Sequence, residues 1–134
     1  MEYWKSVVEN PTGNKPMDDF ATTIDNISKI VFSRTLKDVE WKTARLAKRD
    51  LKEEVFRTQA TTRQRDFSRQ PSLIVALTQL GLIDEYQLGV QPTVMGSGLP
   101  LFKNITDRVD LKLLKTKTFD CGAVTLCYEP TVIP

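Results

Sequence analysis

Two hydrophobic periods divide the chain. Trp4, Val7 and Val8 stand about one helical turn apart, and Asn10-Pro11-Thr12-Gly13-Asn14 follows with turn chemistry, which predicts the end of an amphipathic helix. A second helix is predicted from Pro16, with Asp18 and Asp19 in the first turn, where the helix dipole favours negative charge, and Phe20 and Ile24 on one face. Residues 27–32 are a short apolar run that reads as a buried strand, leaving through the polar triplet Ser33-Arg34-Thr35. Residues 39–41 read as a short extended piece. Asp50 suits the N-cap of a helix through Arg57, with Leu51 and Val55 one turn apart. Pro71 and Ser72 open a further helix, whose apolar positions Leu73, Ile74, Ala76, Leu77 and Leu80 precede a stop at Gly81. The rest has strand character at residues 86–90, 92–95, 111–114 and 124–128, with a hairpin turn at Asp120-Cys121-Gly122. Helices and strands alternate first and antiparallel strands close the chain, so an α/β sandwich with a mixed sheet is predicted.

One stretch breaks this pattern. Residues 57–70 hold four arginines and a single large apolar residue, Phe67, where a helix–strand–helix unit would need a Val/Ile/Leu-rich buried strand. They read as an atypical basic loop.

Composition narrows the possibilities. The 134 residues suffice for one domain, residues 1–134, with one real core. Ordinary proline and glycine content excludes collagen-like and low-complexity classes. No apolar run approaches the roughly 20 residues of a membrane span, and the acidic, aromatic start is unlike a signal peptide, so a cytoplasmic protein without a membrane partner is expected. Net charge is only +2, but residues 34–69 carry eleven basic against six acidic residues. That surplus fits either a solvated helix face or a phosphate or nucleic-acid surface. Trp41 and Phe67 are isolated among these cations, so base stacking is poorly supported and nucleic acid ranks last among the partners.

The chain has no histidine, which excludes His-based nucleophilic catalysis and His-ligated metals; no metal site is expected. Cys121 and Cys127 on one extended segment would lie about 20 Å apart, beyond disulfide reach, and read as two buried thiols. Asp84 and Glu85 are adjacent, so in extended chain they face opposite ways; they read as caps of a helix-to-strand corner. Gly96 and Gly98 read as a structural bend. Ser33, Arg34 and Thr35 offer hydroxyls and a guanidinium suited to a phosphate, and the helix start at Pro71, Ser72 and Leu73 offers orphan donors and a dipole to an anion.

Several blocks together resemble one known family. They are Ser72-Leu73-Ile74, Leu80-Gly81-Leu82-Ile83-Asp84-Glu85-Tyr86, and residues 90–102 with Gly96-Ser97-Gly98-Leu99-Pro100-Leu101-Phe102, preceded by Val31-Phe32-Ser33-Arg34-Thr35-Leu36 and Trp41. The chain is similar to the riboflavin-biosynthesis reductase (RibD C-terminal) domain branch of the dihydrofolate reductase-like superfamily, over nearly its whole length. The resemblance implies a three-layer α/β/α sandwich with a mixed, mainly parallel sheet and a C-terminal antiparallel hairpin. It implies NADPH as cofactor, a small pteridine- or pyrimidine-like heterocycle as substrate, and a homodimer. The cofactor-binding residues would be Ser33, Arg34, Thr35, Pro71, Ser72 and Leu73. The family's opening strand and its glycine–arginine helix start would precede Met1, so the domain is expected to be incomplete and no catalytic residue is assigned.

Where the family carries a Gly-Gly or Gly-Ser pair before the second helix start, this chain has Arg69 and Gln70. One possible encoding of residues 60–71, read one base later, spells Gln-Gln-Pro-Gly-Lys-Glu-Thr-Leu-Val-Gly-Ser, the turn, apolar strand and Gly-Ser pair of the family. A compensated pair of frameshifts would account for the stretch. Besides a reductase, the sequence leaves open a non-catalytic module that dimerises or binds a partner, since a missing central strand exposes sheet edges.

Overall fold

The computed structural model describes residues 2–61, 68 and 70–131. They form two compact units that divide between Glu54 and Val55.

In the first unit, α1 (Glu2–Glu9) packs on α2 (Lys15–Asn26). Val7 and Ala21 are buried, and Trp4 meets Phe20 edge-on with ring centres 4.7 Å apart. The turn between them closes on polar side chains. Asn14 Oδ1 caps α2 by accepting from the Met17 amide. Asp18 accepts from the Thr12 amide and hydroxyl, both at 2.9 Å, and from the Gly13 amide. These donors hold its carboxyl below the ordinary range. Two short strands follow, β1 (Lys29–Val31) and β2 (Ala44–Leu46), paired in parallel. The second lies after Trp41, not over residues 39–41, because Trp41 is drawn into the interior and the chain extends only beyond it. Asp50 caps α3 (Leu51–Thr61), its Oδ1 accepting from the Glu53 amide at 2.8 Å. The helix runs past Arg57 into the stretch read as loop, and the Thr61 hydroxyl bonds back to the Arg57 carbonyl. Residues 62–67 and 69, among them Arg63, Arg65, Phe67 and Arg69, lie outside the described residues.

The second unit begins within α3 at Val55 and contains α4 (Pro71–Gln79) and a three-stranded antiparallel sheet of β3 (Tyr86–Val90), β4 (Leu111–Thr118) and β5 (Val124–Pro130), with β5 in the middle. Gly81 ends α4 at φ +66°: its amide bonds to the Thr78 carbonyl and the Leu82 amide reaches the Leu77 carbonyl, a Schellman motif. That backbone motif, not Asp84 or Glu85, caps the corner; Glu85 instead accepts from the Gln87 amide group. Residues 92–95 are not a strand. Pro92 has no ladder donor, Thr93 turns back to the Gln91 carbonyl, and Val94 is 99% exposed.

The β4–β5 hairpin turns at Asp120-Cys121-Gly122 as expected, with Gly122 at φ +90°. That turn leaves Cys121 exposed; only Cys127 is buried, and both are free thiols. Opposed residues share a sheet face, so the register places Tyr86, Leu88 and Val90 with Val124, Leu126 and Tyr128, and with Leu111 and Leu113. A bulge between Leu113 and Lys115 adds one residue to β4 and reverses its phase. Lys112, Lys115 and Lys117 all fall on the opposite face, beside Thr125, Cys127 and Glu129.

The described chain is thus α/β with both parallel and antiparallel pairing, but in two separate sheets, the parallel pair β1–β2 and the antiparallel ladder of three, not in one mixed, mainly parallel sheet. Among the described residues no helix is long and apolar enough to cross a membrane.

Candidate phosphate-binding residues and their supports

Ser33, Arg34 and Thr35 stand on the exposed loop just past β1. The Ser33 hydroxyl accepts from the amides of Thr35 (3.3 Å) and Leu36 (3.1 Å) and lies 3.5 Å from the Thr35 hydroxyl. This turn, made by a serine bonding to its own chain, holds the triplet in a tight arc. Arg34 is exposed and forms no ion pair among the described residues.

At the start of β1 lies a polar cluster that spacing alone did not reveal. Lys29, which opens β1, donates to the carbonyls of Asp25 (3.3 Å) and Ile27 (2.9 Å) at the end of α2, and to the Thr43 hydroxyl at 2.5 Å. Its ammonium lies 4.2 Å from the Trp41 ring centre, a cation–π contact. The Trp41 indole N–H donates to the Asp25 carboxylate, and the Thr43 hydroxyl donates to the Asp25 carbonyl at 2.7 Å. Burial pushes the Lys29 ammonium below its ordinary value, and the Asp25 charge opposes that shift. One turn of helix, one strand start and the tryptophan are thereby tied together, which is the local role of a residue the sequence marked only by position.

An ion pair links β2 to α3. Glu54 is 1% exposed, yet its carboxylate accepts from Arg45 Nη2 at 2.8 Å, from Nη1 at 3.4 Å and from the Lys48 amide at 3.0 Å. The Arg45 hydrogen bond outweighs burial and holds the Glu54 carboxyl down at about 2. Arg49 pairs with Glu53 at 3.2 Å. Part of the basic surplus of residues 34–69 is therefore spent on pairing within the fold.

The other predicted group begins α4, in the second unit. Pro71 occupies the first helical position and has no N–H, so the open donors are the amides of Ser72 and Leu73; the Ile74 amide already bonds to the Gln70 carbonyl. Gln70 is the N-cap but gives no side-chain cap, and the first turn holds no acidic residue. An anion there would meet the Ser72 and Leu73 amides, which have no partner among the described residues, and the positive end of the helix dipole, with no acidic residue in the first turn. The two groups belong to different compact units, and each is described by itself.

A cleft of about 270 Å³ lies in the second unit, lined by Thr78, Gly81, Ile83, Asp84, Tyr86, Val109 and Pro130. Its polar floor is satisfied internally, the Thr78 and Tyr86 hydroxyls lying 3.0 Å apart, and Phe102 stands edge-on to Tyr86 at 6.0 Å. No group of three or more His, Cys, Asp or Glu that could hold a metal gathers among the described residues.

The family model described as the RibD C-terminal domain matches residues 4–125 of this chain. Two uncharacterized Bacillus subtilis (strain 168) proteins are similar to parts of it. YyaP is 43% identical over 58 residues, 43% of this chain and 31% of that protein; YwjB is 48% identical over 46 residues, 34% and 26%. The matches thus span about a third or less of these curated relatives. Among solved structures, a putative riboflavin biosynthesis protein from Shewanella sp. PV-4 aligns with a TM-score of 0.71 at 19% identity, over 85% of this chain and 69% of that one. A pyrimidine reductase-like protein from Corynebacterium diphtheriae aligns with a TM-score of 0.53 at 17% identity, over 92% and 48%. At such identities the likeness is one of fold.

Proposed function

We propose a function from the premise that this chain belongs to the RibD C-terminal domain family, whose model runs through both compact units. The chain is a cytoplasmic reductase-type domain, one dihydrofolate reductase-like three-layer α/β/α sandwich, that binds NADPH beside a small pteridine- or pyrimidine-like heterocycle. That family match is the observation that carries the reading.

The local geometry suits the phosphate end of the cofactor. Arg34 is an exposed guanidinium on a loop shaped by the Ser33 turn, and the Thr35 hydroxyl stands beside it. The α4 start offers the Ser72 and Leu73 amides behind Pro71, with no acidic residue in its first turn. In this reading these residues hold phosphate oxygens through charge-assisted bonds and the helix dipole. When bound, NADPH supplies the hydride; the protein binds and orients. No proton donor or acceptor among the described residues is given a catalytic role.

A thermal melt of the purified chain with millimolar NADPH tests the reading. A ligand of the native state raises the transition by mass action, by about 2.7 kcal/mol at a hundredfold excess over Kd. The rise is expected for the wild type, reduced in Arg34→Ala. An unchanged transition in the wild type rejects cofactor binding by this chain and leaves the family membership intact.

A further inference from the structure

We propose that the cleft at the far end of α4 binds a small aromatic amine, whose ammonium meets Asp84 and whose other end carries a hydrogen-bond acceptor for the hydroxyls on the floor.

The cleft lies within the second unit, and its walls are tied together. Thr78 and Gly81 bring the end of α4, Ile83, Asp84 and Tyr86 the corner into β3, Val109 the approach to β4, and Pro130 the end of β5. The Gln79 side chain donates to the Asn104 carbonyl at 2.8 Å, which joins α4 to the loop before β4. The Thr131 amide and hydroxyl both donate to the Asp110 carbonyl, at 2.8 and 2.9 Å, and Leu111 pairs with Pro130. Walls already held in place spare a ligand the cost of ordering them. Thr78 lies about 10 Å along the helix axis from Pro71, so the cleft is a place apart from the amides at the α4 start.

The floor holds one hydrogen-bond donor too many. Thr22, Thr23 and Thr61 send their hydroxyls back to the carbonyl four residues earlier. Thr78 instead bonds to the Tyr86 hydroxyl at 3.0 Å, and the two residues are only 7% and 6% exposed. Each hydroxyl has a partner in the other, but one bond uses one of the two protons. Whichever oxygen donates, the second O–H has no further acceptor among the described residues. A buried donor without an acceptor is costly, and a ligand oxygen in the cleft would take it.

The lining also sets the charge of the ligand. It contains one carboxylate, Asp84, and no base. Asp84 is exposed and forms no ion pair among the described residues, whereas Arg108, beside Val109 in the chain, is engaged by Asp110 at 2.6 Å. A cation is therefore held and an anion repelled. Ile83, Val109, Pro130 and the Tyr86 ring supply the apolar surface for a ring. The volume of about 270 Å³ exceeds the roughly 150 Å³ that encloses benzene, which leaves room for one ring and a short arm. The proposal does not rest on cofactor binding.

Titration of the ¹⁵N-labelled whole chain, followed by its amide shifts in two-dimensional NMR, tests it. Tyramine, p-cresol and 4-hydroxyphenylacetate are the probes, one ring and hydroxyl with a cation, no charge or an anion; phenethylamine lacks the hydroxyl. Tyramine is expected to shift the Gly81, Asp84, Tyr86 and Val109 amides saturably, with a Kd on the order of millimolar for its roughly ten heavy atoms. Phenethylamine and 4-hydroxyphenylacetate are each expected to bind about fivefold more weakly. Asp84→Asn should weaken tyramine by about the same factor and leave p-cresol unchanged, a split that a merely structural role would not produce. Val109→Trp, at a position 39% exposed, fills the cleft and should abolish binding. No saturable shift at the lining residues overturns the proposal, as does equal binding of 4-hydroxyphenylacetate or tyramine affinity kept in folded Val109→Trp. Should that variant fail to fold by circular dichroism, exposed Asp84 decides: undiminished tyramine affinity in Asp84→Asn overturns it too.

Discussion

Glu54 shows how a single buried charge can be kept ionised. Its carboxylate is 1% exposed, but Arg45 and the Lys48 amide hold it with hydrogen bonds that favour the charged form more than burial disfavours it. The folded chain keeps this proton off down to about pH 2, whereas the unfolded chain takes it up near the ordinary 4.5. A depressed folded-state value means stability that is complete above pH 4.5 and is lost as pH falls toward 2. Glu54→Gln is expected to destabilise by about 2 kcal/mol at neutral pH, the size of a charge-assisted hydrogen bond. Urea unfolding of both proteins from pH 7 to 2.5 checks this: the gap should shrink only below 4.5, and a gap independent of pH would show that the charge is not what Glu54 contributes. Asp50, Leu51 and Val55 foretold a helix through Arg57, yet nothing in that run marked Glu54 as interior. Its partner arrives from β2, nine residues back along the chain.

Turns and bulges dominate at the element scale. Gly81 and Gly122 both need positive φ, +66° and +90°, which costs a side chain roughly 1–2 kcal/mol. A Cβ on Gly81 meets nothing within 4 Å, whereas one on Gly122 comes within 3.2 Å of Pro92 Cγ. Gly122→Ala is therefore expected to lower Tm more than Gly81→Ala, the latter by several degrees; equal losses in a differential scan would deny the Pro92 contact its role. The β4 bulge makes a different case. Deleting Leu114 would remove the extra residue and restore simple alternation, leaving Lys115 and Lys117 opposite Cys127 and Thr125, on the face they already occupy. The deletion is therefore expected to keep a cooperative melt, and its loss in a thermal scan would show that the bulge does more than carry an extra residue. Alternation placed β4 as residues 111–114, because the bulge hides the continuation of the strand behind a change of phase.

For the whole molecule, family membership follows from blocks legible in the sequence, Gly81-Leu82-Ile83-Asp84-Glu85-Tyr86 above all, and the fold agrees with solved relatives. The helix start near Pro16, those at Asp50 and Pro71, the stop at Gly81, the strand 86–90 and the last hairpin were readable because caps, prolines and glycines act over three or four residues. The triplet Ser33-Arg34-Thr35 and the α4 start were legible as chemistry for the same reason, since a hydroxyl, a guanidinium and an uncapped helix end are local properties. Tertiary structure alone decided the rest. It set Trp41 against Asp25 and Lys29, Arg45 against Glu54, and the lysines of β4 on one face, and it turned residues 92–95 out into solvent. These outcomes depend on which distant segment comes to lie opposite each residue, and a linear pattern carries no term for that.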